Sequence, residues 1–169
     1  GLLKHNGPIK KKQMYEKILG KNYFKKKIKL SSSPSLEAQI ASISDDIAYN
    51  SHDLEDGLTS NLFKLGDLEK IPVLKRIIFK HKKRVNKFSV ELIIRQIVRE
   101  IINAMVKDVI ITTKNNIKSK RIKKLNDVYN AKYPIVTFSK KMKEFDTKIK
   151  SFLKKKMYYH KKVKMNTNE

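Results

Sequence analysis

A chain of 169 residues with 40% apolar side chains and no cysteine is long enough to bury a core, and it carries neither disulfides nor thiolate metal sites. Lys and Arg number 40 against 16 Asp and Glu, a formal charge of +24. Only Arg76, Arg84, Arg95, Arg99 and Arg121 are arginines, and the chain is also fond of Ile and Asn, so AT-rich codons explain the excess as well as a polyanionic ligand does. The bases are scattered, without interleaved aromatics that could stack nucleotides, which argues against a nucleic-acid-binding module. No apolar run reaches the ~18 residues of a membrane span and no signal pattern opens the chain, so the default is a soluble cytoplasmic protein.

The chain opens on Gly1 in mid-pattern and reads as a piece of a longer protein. In Lys4-His5-Asn6-Gly7-Pro8, the histidine stands either near the mouth of a site or as a turn residue before Pro8. Residues 10–32 are Lys-rich and weakly patterned and read as a variable excursion. From Leu30 to Phe63 the basic background stops: there is no Lys or Arg, while Glu37, Asp45, Asp46, Asp53, Glu55 and Asp56 give the stretch a formal charge of −6. Either a cation is expected there, or a helix packed on both sides excludes lysine.

That stretch has helical period. Ser33 as N-cap and Pro34 in the first turn open it, and Leu36, Ile40, Ile43, Ile47, Leu54 and Leu58 form one apolar stripe. At about 100° per residue, Asp45 lies opposite the stripe, among Ala38, Ala41, Ser42 and Tyr49. The small residues allow close approach. Asp45, Tyr49 and Asp53, spaced by four, make a row of carboxylate, phenol and carboxylate suited to a metal and a hydroxylated ligand.

Gly57 and Gly66 punctuate the chain, and Pro72 opens a helix to about Lys83. Ser89 caps a long helix with Glu91 in its first turn and with Val90, Ile94, Ile97, Ile101 and Met105 as its buried stripe. Pro134 marks a short extended link. Ser139 starts a last helix with Met142, Phe145, Ile149, Phe152 and Leu153 inward. His81 and His160, among lysines, read as solvated. No strand-like alternation occurs, so the fold class is all-α. There is no phosphate-binding glycine loop, no Ser/His/Asp arrangement and no pair of His at helical metal spacing.

The string SLEAQIASISDDIAYNSHDLEDGL, Ser35 to Leu58, resembles the most characteristic stretch of the dGTP triphosphohydrolase (dGTPase-like) family of the HD-domain phosphohydrolases. The pieces LLKHNGP (Leu2 to Pro8), YPIVTFS (Tyr133 to Ser139) and FLKKKMYYHKKV (Phe152 to Val163) keep the family's order. The resemblance implies the C-terminal part of the HD-type helical core over residues 1–63 and an incomplete helical phosphohydrolase-associated region over 64–169. It further implies a divalent metal, such as Mg or Mn, held by an upstream His, a His-Asp dipeptide and a later Asp that maps to Asp45. Such a metal activates water for attack on the α-phosphorus of dGTP or another dNTP, releasing deoxyguanosine and triphosphate. Tyr49 would meet the sugar and phosphates, Asp53 would accept from the 3′-hydroxyl, and Lys4 and His5 would lie at the mouth of the site.

His52-Asp53 is not read as the metal dipeptide, because the family's pair lies well upstream of the Asp-Asp-Ile-Ala-Tyr helix; His52 is a helix-surface or packing residue. The family implies a homo-oligomer and no membrane. The expected function is thus a metal-dependent dNTP triphosphohydrolase whose upstream ligands are missing from these residues, the chain alone being inactive. The rivals are a non-catalytic remnant of such an enzyme and a basic nucleic-acid-binding helical module.

Overall fold

The computed structural model describes Lys17 and residues 31–82 and 89–159. Lys4, His5, His160 and nearly all of the 10–32 excursion lie outside the described residues. Among the described residues the α-helices with defined bounds run, in order, α1 Leu36–Thr59, α2 Leu65–Leu68, α3 Pro72–Lys82, α4 Val90–Ser119, α5 Leu125–Tyr129 and α6 Lys140–Leu153, the last running into a π-helical turn at Lys154–Tyr158. Among the described residues there is no strand, and the all-α expectation holds.

The chain forms two compact units, one up to Ser44 together with Ile110–Thr137, the other Asp45–Val109 together with Phe138–Glu169. In the first, a polar side chain organises the core. Gln39 is buried, and its Oε1 accepts from the backbone N–H groups of Ile135 (2.8 Å) and Val136 (3.1 Å) while its Nε2 donates to the Pro34 carbonyl (2.9 Å). The 135–136 link forms no regular structure of its own, so its buried N–H groups need this acceptor. Asn116 donates to the Ile135 carbonyl on the other side (2.8 Å).

The start of α1 differs from the sequence reading by two residues. Ser35, rather than Ser33, caps the helix, its Oγ accepting from Ala38 N at 3.3 Å. Ser33 instead holds the segment after α5: its N–H donates to Tyr129 O (3.0 Å) and its Oγ to Ala131 O (2.8 Å). At the start of the helix the apolar stripe is rotated as well. Ala38 and Gln39 are buried, whereas Ile40 is half exposed, because the demand of the 135–136 backbone for Gln39 turns that face inward.

In the second unit α1 buries Ile47, Asn50, Ser51, Leu54 and Leu58. Gly57 lies inside this helix because a Cβ there would come within 2.1 Å of Phe63 Cε1; the Phe63 ring in turn meets Phe152 edge-on, with centroids 4.9 Å apart. Asn61, at φ 55°, ends α1 in the left-handed conformation that Asn tolerates, and Leu62 N donates to Gly57 O at 2.9 Å to close a Schellman-type cap.

Helices α3 and α4 start at Pro72 and after Ser89 as expected, Ser89 Oγ accepting from Leu92 N. Ile94, Ile97, Ile101 and Met105 are buried as read from the sequence, joined by Ile93 and Val98, but Val90 is exposed in the first turn. His81 is not solvated. It is buried, with Nε2 3.0 Å from the Glu100 carboxylate, which also accepts from Lys80 at 2.7 Å. Helix α6 begins at Ser139 as expected; Ser139 Oγ accepts from Met142 N, and Asp108 receives both the Ser139 N–H (2.8 Å) and its hydroxyl (2.7 Å).

Gln39→Leu should therefore destabilise the fold by about 2–4 kcal/mol, since two buried N–H groups lose their acceptor. Urea unfolding of both proteins measures this, and a change below about 0.5 kcal/mol would contradict it.

Candidate functional site

Just over two helical turns of α1 carry the residues of interest, all within the second unit. Burial of Ile47, Asn50, Ser51 and Leu54 turns Asp45, Ala48, Tyr49 and His52 to the outside, as the helical period requires. Asp45 and Tyr49 are exposed and Asp53, one turn further, is half buried. The sequence reading of a carboxylate, phenol and carboxylate row is thus what the helix presents, and His52 lies on the surface beside it.

The acids of α1 meet very different fates. Glu37 is held at the helix start, its pKa lowered by its own backbone N–H and by the Ser35 hydroxyl. Asp46 accepts from Lys150 at 3.3 Å, and Glu55 lies 3.7 Å from the Arg95 guanidinium. Asp53 accepts a hydrogen bond from the Tyr158 phenol. The Asp45 carboxylate has no hydrogen bond or ion pair among the described residues. The absence of lysine from this stretch is accordingly relieved for some of its carboxylates by bases on α4 and α6, while Asp45 stays open to a cation from outside.

Tyr158 is the residue that sequence reasoning misses. The string FLKKKMYYHKKV contains it, but only the π-helical turn after α6 shows which of two adjacent tyrosines meets α1. A π-turn adds one residue to the helical repeat and so redirects the chain beyond it. Burial first, then the hydrogen bond to Asp53 and the Asp53 charge, and last Tyr49, push the Tyr158 phenol well above its ordinary range. Tyr158 therefore stays a neutral donor, and Asp53 keeps its Oδ1 for a second partner.

Asp146, on α6, is buried; its Oδ1 accepts from Asn50 Nδ2 at 3.0 Å and its Oδ2 lies 3.0 Å from Lys150 Nζ. Burial opposes the Lys150 charge, yet the Asp146 hydrogen bond and the charges of Asp146 and Asp46 outweigh it and raise the lysine pKa. Among the grooves elsewhere in the unit are one of about 290 Å³ lined by Arg76, Asp108, Ser139 and Lys141, and one of about 360 Å³ lined by Lys70, Lys148, Lys155 and Lys156. Neither includes Asp45, Tyr49 or Asp53.

A metal needs more than this row. Among the described residues no three His, Cys, Asp or Glu side chains converge. The donor set present, a single unpaired carboxylate with an open approach, fits one position of a divalent-ion site and does not make a site by itself.

No family model matches the chain. Curated proteins do. Over 168 residues, 99% of the chain, it is 45% identical to a deoxyguanosinetriphosphate triphosphohydrolase-like protein of Pelagibacter ubique (strain HTCC1062), covering 45% of that protein. Proteins of the same name from Bartonella quintana (strain Toulouse) and Rickettsia typhi (strain ATCC VR-144 / Wilmington) are 39% and 34% identical over 99% and 96% of the chain, which covers 43% and 42% of them. The chain thus spans less than half the length of these relatives.

The Asp53 contact has a spectroscopic consequence. Tyr158 should ionise above the ordinary phenol value of about 10, and Asp53→Asn should bring it part of the way down, the share due to burial remaining. NMR of ring-labelled tyrosine across an alkaline titration reads this directly. An unchanged Tyr158 titration in Asp53→Asn would show that the two do not interact.

Proposed function

The chain belongs, along its own length, to the deoxyguanosinetriphosphate triphosphohydrolase-like family, and on that premise we propose that it supplies one wall of the active site of a metal-dependent hydrolase that converts dGTP and water to deoxyguanosine and triphosphate. The observation that carries the reading is the position of Asp45: an exposed carboxylate with no partner among the described residues, at the head of a row formed with Tyr49 and Asp53.

In this reading Asp45 is one ligand of a divalent metal such as Mg or Mn, and the remaining ligands, an upstream His and a His-Asp dipeptide, come from outside these residues. When bound, such a metal acts as a Lewis acid and lowers the pKa of water. The chain's own residues then position the substrate. Tyr49 lies one helical turn from Asp45, where an exposed phenol can lie along the sugar and donate to phosphate oxygens. Asp53, a further turn away, accepts the 3′-hydroxyl at Oδ1 while Tyr158 occupies Oδ2. A half-buried carboxylate with one oxygen already satisfied presents the other in a fixed direction, which is what discrimination for a hydroxyl requires.

On this reading the protein would work in the cytoplasm and as a homo-oligomer. Separately, no helix among the described residues is long and apolar enough to cross a membrane.

In the full-length protein, Asp45→Ala should lower metal content and triphosphate release by roughly 100-fold or more, whereas His52→Ala should stay within about threefold. Metal analysis together with a triphosphate-release assay on both variants decides this. Equal losses would mean that His52-Asp53 is the metal pair after all. The 169-residue chain by itself should release no triphosphate, because its described donors fill only one coordination position.

A further inference from the structure

Asp45 and Asp46 are consecutive on a helix, about 100° apart, and without further control both carboxylates would be within reach of a cation placed beside the row. The structure separates them. Asp46 is held by Lys150 (3.3 Å), and Lys150 is itself held by Asp146 (3.0 Å), whose other oxygen takes the Asn50 amide (3.0 Å). The four form a closed arrangement: Asp46 and Asn50 are one turn apart on α1, and Asp146 and Lys150 are one turn apart on α6. Asp146 is only 8% exposed and Asn50 only 6%. A buried carboxylate needs its charge met, and Lys150, 3.0 Å away, supplies it.

The Asn50–Asp146 hydrogen bond already joins the two helices from inside. The extension of Lys150 to Asp46 lies at the exposed edge, where ion pairs contribute little to stability. Its effect is electrostatic and local.

We propose that Lys150 is a positioning residue that withdraws Asp46 from the donor row, leaving Asp45 as the single carboxylate of the pair offered to a divalent cation. The inference rests on the functional reading above. By pairing Asp46, Lys150 fixes the number of carboxylates at this end of the site and keeps an unpaired negative charge away from a polyanionic substrate.

The test uses the full-length protein, with manganese ion as the metal probe, titrated without substrate, and with dGTP kinetics measured separately. Lys150→Met frees Asp46, and the ion should bind about three- to tenfold more tightly, the scale of one screened unit charge acting on a divalent ion nearby. The KM for dGTP should rise about threefold or more from the same added charge. Adding Asp46→Asn to Lys150→Met should return both values to within about twofold of the original, and Lys150→Arg should leave both unchanged. Asp46→Asn alone should keep the ion bound, which preserves the test if Lys150→Met does not fold.

A purely structural lysine would show lower thermal stability in Lys150→Met, no change in manganese affinity and no compensation by Asp46→Asn. That result overturns the proposal, as does loss of the ion in Asp46→Asn. Retention of the ion in Asp45→Asn would instead overturn the functional reading on which the proposal rests.

Discussion

A carboxylate buried between two helices has to be both neutralised and hydrogen-bonded, and Asp146 obtains the two from different places. Asn50 comes from α1, and Lys150 comes from the next turn of α6 itself. Because the Asn50 amide must reach one Asp146 oxygen, the rotation of α1 about its own axis is fixed to within the tolerance of a hydrogen bond. The whole outer face depends on that rotation. With Asn50, Ser51 and Leu54 inward, Asp45, Tyr49 and His52 are outward, and Asp53 sits at the border where Tyr158 can reach it.

The same helix that supplies Asp146 continues into the π-turn that carries Tyr158. Two contacts of α1, one buried and one near the surface, thus depend on one continuous element. The buried contact sets the register of the polar row, and the second meets the last member of that row. A substitution in α6 would reach the candidate site without touching any residue of it.

Much of this is legible in the sequence, and the reasons for the exceptions are physical. The helical period of Leu36 to Leu58 places Asp45 opposite the core because Ile47, Leu54 and Leu58 are strong apolar markers. The same period misjudges Ile40 and overlooks Gln39, Asn50 and Ser51, since hydropathy cannot recognise a polar side chain buried by the backbone or carboxylate it serves. Lysine neighbours make His81 read as solvated, but a helix turns adjacent residues about 100° apart, and the face of His81 is the one shared with Leu74 and Ile78. Ser33 looks like a cap, and its partners at Tyr129 and Ala131 are nearly a hundred residues away, beyond what local spacing can show. Tyr158 is invisible for a related reason: one residue added by a π-turn decides between Tyr158 and Tyr159. The excess of lysine, by contrast, is informative only where it stops, and the cations that meet Asp46 and Glu55 come from Lys150 and Arg95 on other helices.

We propose that the row on α1 belongs to an enzyme that removes triphosphate whole. Phosphorus NMR of dGTP incubated with the full-length protein and manganese ion would measure this most directly. Inorganic triphosphate should appear as the only new phosphorus-containing product, in equal amount to deoxyguanosine. Release of orthophosphate or pyrophosphate, or no turnover by a folded, metal-loaded protein, would contradict the claim.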